Sequence, residues 1–237
     1  MNFIKLNNVS VNYPVLDYYK QSIKLRAIKF LTGGKITTYN DVTVVEALKN
    51  INLDIKKGER IGLYGHNGSG KTTLLRTVAG IYKPYQGTID INGNITSMLS
   101  IFLGVNEFET GLNNIKLKAK FLKLSQKETE KMIHEVSEFS ELGDFLNMPI
   151  STYSSGMNVR LMFALATYSV SDIILLDEWL SAGDENFAPK AEARMQEIVK
   201  KSGILILASH SMDLLKKICN KIVYLEKGSI KKIEANG

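Results

Sequence analysis

The sequence predicts an α/β fold: a mostly parallel sheet with helices on both faces. Three observations carry that reading. Short apolar runs at Arg60 to Tyr64, 172–177, 203–208 and Ile222–Leu225 have the length and composition of buried strands. Helical patterns lie among them, at about 156–169, 187–201 and 212–218. A glycine-rich loop, Gly65 to Thr73, joins the first of these strands to a helix continuing over Leu74 to Gly80.

The remaining elements follow in chain order. Alternation over residues 3–9 predicts a first strand, which Tyr13-Pro14 should stop because proline lacks an N–H. From Leu16 to Leu31, apolar side chains at 16, 19, 23, 27 and 30 recur at helical spacing, ringed by Lys20, Lys24, Arg26 and Lys29. Gly33-Gly34 should end that helix. Such a helix packs on its own domain, or lies against a membrane surface or membrane partner. Asp54 to Lys57 close a strand at the Gly58-Glu59 turn. Two short strands are expected around Gly87 to Thr96, with Asn92-Gly93 as their hairpin turn. Residues 105–150 lack strand alternation and look helical, and a final hairpin strand follows Leu225.

Composition excludes several classes. With 237 residues the chain is one globular unit, with room for an inserted subdomain. Hydrophobic residues at 44% and charged residues at 23% exclude wholesale disorder. The longest apolar runs, Ile173-Ile174-Leu175-Leu176 and Ile204 to Ala208, fall far short of the about 20 residues a spanning helix needs. Met1-Asn2-Phe3-Ile4-Lys5 lacks the apolar core of a signal peptide. A single cysteine, Cys219, forms no internal disulfide and fits a reducing compartment. The net charge of +6 fits a mixed solvated surface, an anionic membrane face or nucleic acid. No zinc-finger spacing, aromatic RNA-binding motif or basic block supports the last.

Gly65-His66-Asn67-Gly68-Ser69-Gly70-Lys71-Thr72 satisfies G-x-x-x-x-G-K-[ST], with Thr73 following, between a strand and a helix. Glycines let backbone N–H groups turn inward around phosphate oxygens, and the helix start adds positive potential. Lys71 should reach the β and γ phosphates and the Thr72 hydroxyl should coordinate Mg²⁺, so a nucleoside triphosphate is the expected ligand. The Ile173–Leu176 strand ends in Asp177-Glu178, 106 residues after Lys71 (177 minus 71). Asp177 is the candidate for the Mg²⁺ shell, and Glu178 for the base that takes a proton from the attacking water. Asn220-Lys221 is followed by Ile222-Val223, not by the x-Asp of a guanine-binding element, so adenine is the expected base.

Tyr153-Ser154-Ser155-Gly156-Met157 opens a helix 20 residues before Asp177 (177 minus 157). At that place the chain resembles the ATP-binding-cassette (ABC) ATPases, whose signature is Leu-Ser-Gly-Gly-Gln, and the resemblance covers essentially the whole chain. Ala208-Ser209-His210 resembles the family's switch histidine, Ser181-Ala182-Gly183-Asp184 its D-loop, and Tyr13 its adenine-stacking aromatic. The variant signature, the preceding Glu138-Phe139-Ser140-Glu141-Leu142-Gly143 and the Asp184-to-Met195 stretch look like the ATPase subunits of bacterial polysaccharide exporters. Those move O-antigen, capsule or teichoic-acid polymers.

The resemblance implies a single ABC nucleotide-binding domain over 1–237 with a P-loop NTPase (RecA-like) core. It further implies an N-terminal antiparallel β subdomain, a catalytic core at approximately 1–100 and 160–237, a helical subdomain at 105–155 and an insertion at 14–45. It implies ATP and Mg²⁺ as cofactors and a homodimer in which Ser154, Ser155, Gly156 and Met157 of one copy close over ATP held by the other. Asp184 is expected among the ATP-binding residues, and His210 contacts the γ-phosphate. A separate membrane-spanning permease subunit is implied, with this chain peripheral at the cytoplasmic face of the plasma membrane, and no nucleic acid. One departure stands out. The family's Mg²⁺-sensing Gln has no equivalent in Ser97-Met98-Leu99-Ser100, which leaves Ser100 acting through water, Glu107 or Glu109 in its place, or a different coupling. With the chain ending at Gly237, no C-terminal sugar-binding domain is expected. His66 should act through its backbone, and His134, Cys219 and Trp179 read as structural. A soluble ABC clamp on nucleic acid or ribosome and an importer subunit are the competing readings. The first usually carries two cassettes or a long coiled coil, and the Ser-Ser-Gly-Met signature and the 14–45 insertion speak against the second.

Overall fold

The computed structural model describes residues 1–15, 36–39, 42–99, 104–169, 171–178 and 186–236. The helix expected at 16–31, Ser100, Trp179 and the 181–184 loop with Asp184 lie outside the described residues. The chain divides into two units, the first formed by Met1–Leu99, Ser171–Trp179 and Ser202–Gly237, the second by Ser100–Val170 and Leu180–Lys201.

Alternation builds the first unit's antiparallel sheet. In β1 (Phe3–Val15), Ile4 and Leu6 are buried while Lys5 and Asn7 face solvent. It lies between β3 (Val42–Lys56) and β5 (Gln86–Asn92), and β2 (Ile36–Tyr39) pairs the outer side of β3. Register shifts after Leu6, where Asn8 (φ 49°) on β1 and Asn50 (φ 47°) on β3 take the left-handed conformation that asparagine tolerates. The strand does not stop at Tyr13-Pro14 as expected; Pro14 still pairs with Val44. Among the described residues, pairing with β5 ends at Ser10, and beyond it a missing N–H is tolerated on that side.

The second sheet has the order β10-β9-β4-β8-β7-β6. Its strands are β4 (Arg60–Tyr64), β6 (Ile95–Met98), β7 (Ile173–Asp177), β8 (Ile204–Ala208), β9 (Lys221–Glu226) and β10 (Ser229–Ala235). All neighbours are parallel except the β9–β10 hairpin. All five residues of β8 and four of five in β7 are buried, the continuous apolar run of a strand covered on both faces. This is the α/β class that the sequence predicts. Helix α1 (Lys71–Val78) follows β4. Gly62 on β4 lets the helix at Met212–Ile218 come close, since a Cβ there would lie 3.1 Å from Leu215 Cδ2.

The hairpin expected at Asn92-Gly93 does not form. β5 pairs with β1 in one sheet, β6 with β7 in the other, and Asn92-Gly93 carries the chain between them. Asn94 N–H donates to the Asp172 carboxylate, and at Gly93 a Cβ would sit 3.1 Å from Asp172 Cβ. Contact with a segment distant in sequence therefore decides this turn.

The second unit is helical: α2 (Gly111–Phe121), α3 (Gln126–Ser140), short 3-10 turns at Gly143–Asn147 and Ile150–Thr152, α4 (Ser155–Ala166) and α5 (Ala188–Lys201). With these ranges the helix at Met212–Ile218 is α6. Ser125 and Glu128 close a reciprocal capping box on α3. Ile115, Met132, Val136, Leu161 and Met162 form the core of this unit. Phe139, Phe163 and Phe187 pack together, with Arg160, Lys190 and Arg194 over the Phe187 and Phe139 rings. Among the described residues no helix is long and apolar enough to cross a membrane.

Candidate functional site

The loop between β4 and α1 owes its shape to positions where only glycine fits. At Gly65 a Cβ would lie 2.3 Å from Leu225 O and 2.6 Å from Ser69 Oγ. Gly68 (φ 77°) and Gly70 (φ 108°) are left-handed, and Gly70 is the N-cap of α1. The loop closes on itself through Ser69 N–H to His66 O at 3.1 Å. The β9–β10 turn braces it: Gly228 N–H donates to Ser69 O, and Lys49 N–H donates to Gly228 O.

Two features of the loop suit an anion. The Lys71 ammonium, 7% exposed, donates to Gly65 O (2.7 Å) and His66 O (3.3 Å). Burial lowers its pKa from the ordinary lysine value, while the charges of Glu178 and Asp177 oppose that shift. Among the described residues the buried Ser69 hydroxyl has no hydrogen-bond partner. Asn67, Gly68, Ser69, Gly70, Lys71, Thr72 and Thr73 line a cavity of about 230 Å³. His66 holds Asn67 O with its ring Nδ1 at 2.7 Å.

At the end of β7, Asp177 Oδ2 accepts a hydrogen bond of 2.7 Å from Thr72 Oγ1. A hydroxyl and a carboxylate oxygen side by side are the hard donors Mg²⁺ takes, and Mg²⁺ completes its shell with water and phosphate oxygens. Among the described residues no three His, Cys, Asp or Glu side chains cluster as a self-sufficient metal cage. The donor set therefore fits Mg²⁺ arriving with a nucleotide.

The register Asp177↔Ala208 sets the ends of β7 and β8 abreast. Glu178 takes φ 73°, a strained conformation for a residue with a Cβ. Its N–H donates to Ala208 O at 2.9 Å, its Oε2 accepts from Ser209 Oγ at 3.0 Å, and its Oε1 lies 3.7 Å from His210 Nε2. Glu178 and His210 line the same cavity as the loop.

Tyr13 joins that cavity from β1. Its hydroxyl donates to Thr73 Oγ1 (3.1 Å) and its ring meets Tyr82 edge-on at 4.8 Å. Burial pushes the phenol up to about 12. Val45, Glu46, Ala47, Lys227 and Gly228 complete the wall, and sequence reasoning missed them. The signal for Gly228 is its left-handed φ of 76° after Lys227 at 48°, with a hypothetical Cβ 2.6 Å from Ala47 O. Ser209 was visible in its motif, but its bond to Glu178 was not.

The remaining candidates belong to the second unit. Ser154 is the N-cap of α4, its Oγ accepting from Met157 N–H at 3.2 Å. Ser155 is exposed, Gly156 half-buried, and Met157 packs on the helical core. Glu107 takes Ser151 N–H on its carbonyl, and Glu109 Oε2 accepts from Asn113 Nδ2 at 2.7 Å. His134 pairs with Glu138 (3.4 Å) on a solvated face of α3. In the first unit, Cys219 is buried, which pushes its thiol up to about 12.

Comparison with known proteins matches residues 48–181 to the family described as ABC transporter. The O-antigen export system ATP-binding protein RfbE of Yersinia enterocolitica is 41% identical over 231 residues, covering 97% of both chains. The teichoic acids export ATP-binding protein TagH of Levilactobacillus brevis is 34% identical over 232 residues, covering 98% of this chain and 62% of TagH. Among solved structures, a dimeric post-hydrolysis state of the ATP-binding cassette MJ0796, bound to ADP and Pi, superposes with a TM-score of 0.72. It covers 99% of each chain at 23% identity, a likeness of fold.

Proposed function

The chain belongs to the ABC transporter family as an ATP-binding ATPase cassette, and on that premise we propose that it powers export of a lipid-linked polysaccharide across the cytoplasmic membrane. The similarity to RfbE along 97% of both chains carries the assignment of cargo class. The membrane path belongs to a separate permease subunit, which places the chain at the cytoplasmic face.

The mechanism assigns each residue a role. The N–H groups of the Gly65–Thr73 loop and Lys71 hold the phosphates, with Lys71 exchanging its two loop carbonyls for phosphate oxygens. Thr72 and Asp177 would hold Mg²⁺, which when bound neutralises charge on the phosphate oxygens. Tyr13 borders the adenine. Glu178 orients the attacking water and accepts its proton as the water oxygen bonds to the γ-phosphorus and ADP leaves. His210 faces the γ-phosphate. Ser154 to Met157 of a second copy close over it, with the helix start of α4 supplying N–H donors. Two copies are therefore needed for hydrolysis.

A mild-detergent pull-down of the tagged chain from its native cells, with and without Glu178→Gln, tests the reading. Recovery of a polytopic membrane protein encoded beside glycosyltransferases is expected, enriched by the variant. Recovery of RNA or ribosomes with no membrane subunit would sink the transport assignment.

A further inference from the structure

We propose that Ser209 is a positioning residue for hydrolysis: its buried hydroxyl holds one carboxylate oxygen of Glu178 so that the other faces the attacking water. The inference rests on the reading of Glu178 as the base and adds the group that aims it. Ser209 is 2% exposed. Its Oγ accepts the N–H of Ser211 at 3.2 Å, and a hydroxyl has a single proton to give. The acceptor for that proton is Glu178 Oε2, 3.0 Å away.

Aiming is needed because, among the described residues, little else restrains the Glu178 side chain. It is 51% exposed, and His210 Nε2 at 3.7 Å from Oε1 stands beyond hydrogen-bond length. A half-exposed glutamate samples several rotamers, whereas a base must sit within hydrogen-bond reach of the water it deprotonates. Two consecutive residues on β8 and its exit fasten Glu178 at both ends. Ala208 O takes the N–H that stabilises the left-handed backbone, and Ser209 Oγ takes the carboxylate. Ser209 is itself fixed, its N–H donating to Leu63 O at 3.2 Å, on the strand that leads into the phosphate loop. One buried hydroxyl thus ties the base to the strand end that positions the phosphates.

The test is steady-state ATPase of the purified full chain carrying Ser209→Ala, Ser209→Thr, Glu178→Gln, and Ser209→Ala with Glu178→Gln. Loss of a hydrogen bond to a charged group predicts that Ser209→Ala lowers kcat about 10- to 100-fold. KM for ATP should stay unchanged, because Ser209 does not itself line the nucleotide cavity. Ser209→Thr, which keeps the hydroxyl, should recover most of the rate. In the Glu178→Gln background the alanine should reduce the residual rate no further, a coupling that general destabilisation would not produce. Wild-type kcat in Ser209→Ala, or a loss that simply adds to that of Glu178→Gln, overturns the proposal. Full activity in Glu178→Gln would instead overturn the reading of the base. An inactive Glu178→Gln beside a fully active Ser209→Ala leaves the base standing and removes Ser209's role. Poor folding of the alanine variant would leave Ser209→Thr against Ser209→Val as the deciding pair, active against inactive.

Discussion

Replacing Gly156 by alanine separates what the chain needs for its fold from what it needs for turnover. Gly156 is the second residue of α4 and its φ is not left-handed, so its backbone suits any residue. A Cβ there would meet nothing nearer than Ser154 Oγ at 4.0 Å. Within the chain, then, glycine is the less stable choice. Alanine at a compatible site stabilises by about 0.4–1 kcal/mol, mainly by restricting the unfolded chain. In a chain of this size 1 kcal/mol moves Tm by about 2–4 °C, so Gly156→Ala should raise Tm by about 1–4 °C.

On the proposed shared site the same methyl should damage catalysis, because it would occupy the space through which the first N–H groups of α4 would meet the γ-phosphate held by a second copy. Loss of such a donor costs about 10²–10³ in kcat. The assay pairs thermal denaturation with steady-state ATPase, and adds a mixing experiment with Lys71→Ala. If each site combines one copy's loop with the other's signature, a heterodimer of the two inactive variants has one site with both lesions and one with neither. An equal mixture then has half its dimers mixed, each with one working site. It should recover up to about a quarter of the wild-type rate if sites act independently. No recovery would refute the shared site, and a lowered Tm would refute the local geometry.

Cys219 ionises near 12 in the folded chain against 9.0 for a free thiol, so above pH 9 the unfolded chain loses a proton that the native one keeps. Stability should therefore fall with rising pH between 9 and 12, by up to about 1.4 kcal/mol per unit from this group, and Cys219→Ala should flatten that slope in denaturant titrations. Gly228→Ala forces a Cβ to within 2.6 Å of Ala47 O at a left-handed position. It should cost about 1–3 kcal/mol by thermal denaturation and, by loosening the brace on Ser69, raise KM for ATP; an unchanged KM would show that the brace is dispensable.

Much of the parallel sheet was legible because β4, β7 and β8 are buried on both faces and so write continuous apolar runs into the sequence. The loop and the Asp177-Glu178 pair were legible for a related reason: their chemistry requires specific side chains at fixed spacing. The Asn92-Gly93 turn was not. Its dipeptide suits a hairpin locally, but pairing of Ile95 with Ile173 draws the chain into the other sheet. The cavity walls at Val45, Glu46, Ala47, Lys227 and Gly228 were equally hidden, because they arrive from segments far apart in sequence. Gly228 braces the loop with its backbone, which no side-chain pattern reports.

The loop's own bonding shows how the site is kept ready. A lysine with 7% exposure and a buried serine hydroxyl without a partner are costly in a folded chain, since each gives up hydration. Lys71 recovers part of that cost from two loop carbonyls and from the charges of Asp177 and Glu178, while Ser69 Oγ recovers none. A bound phosphate would supply acceptors to Lys71 in place of those carbonyls. Binding therefore relieves a strain that folding creates, and the site is preorganised for an anion before the ligand arrives. Glu178 follows the same logic: its left-handed backbone persists because Ala208 and Ser209 hold it at both ends. Thus the underpaired loop and the left-handed Glu178 both lie on the wall of one cavity.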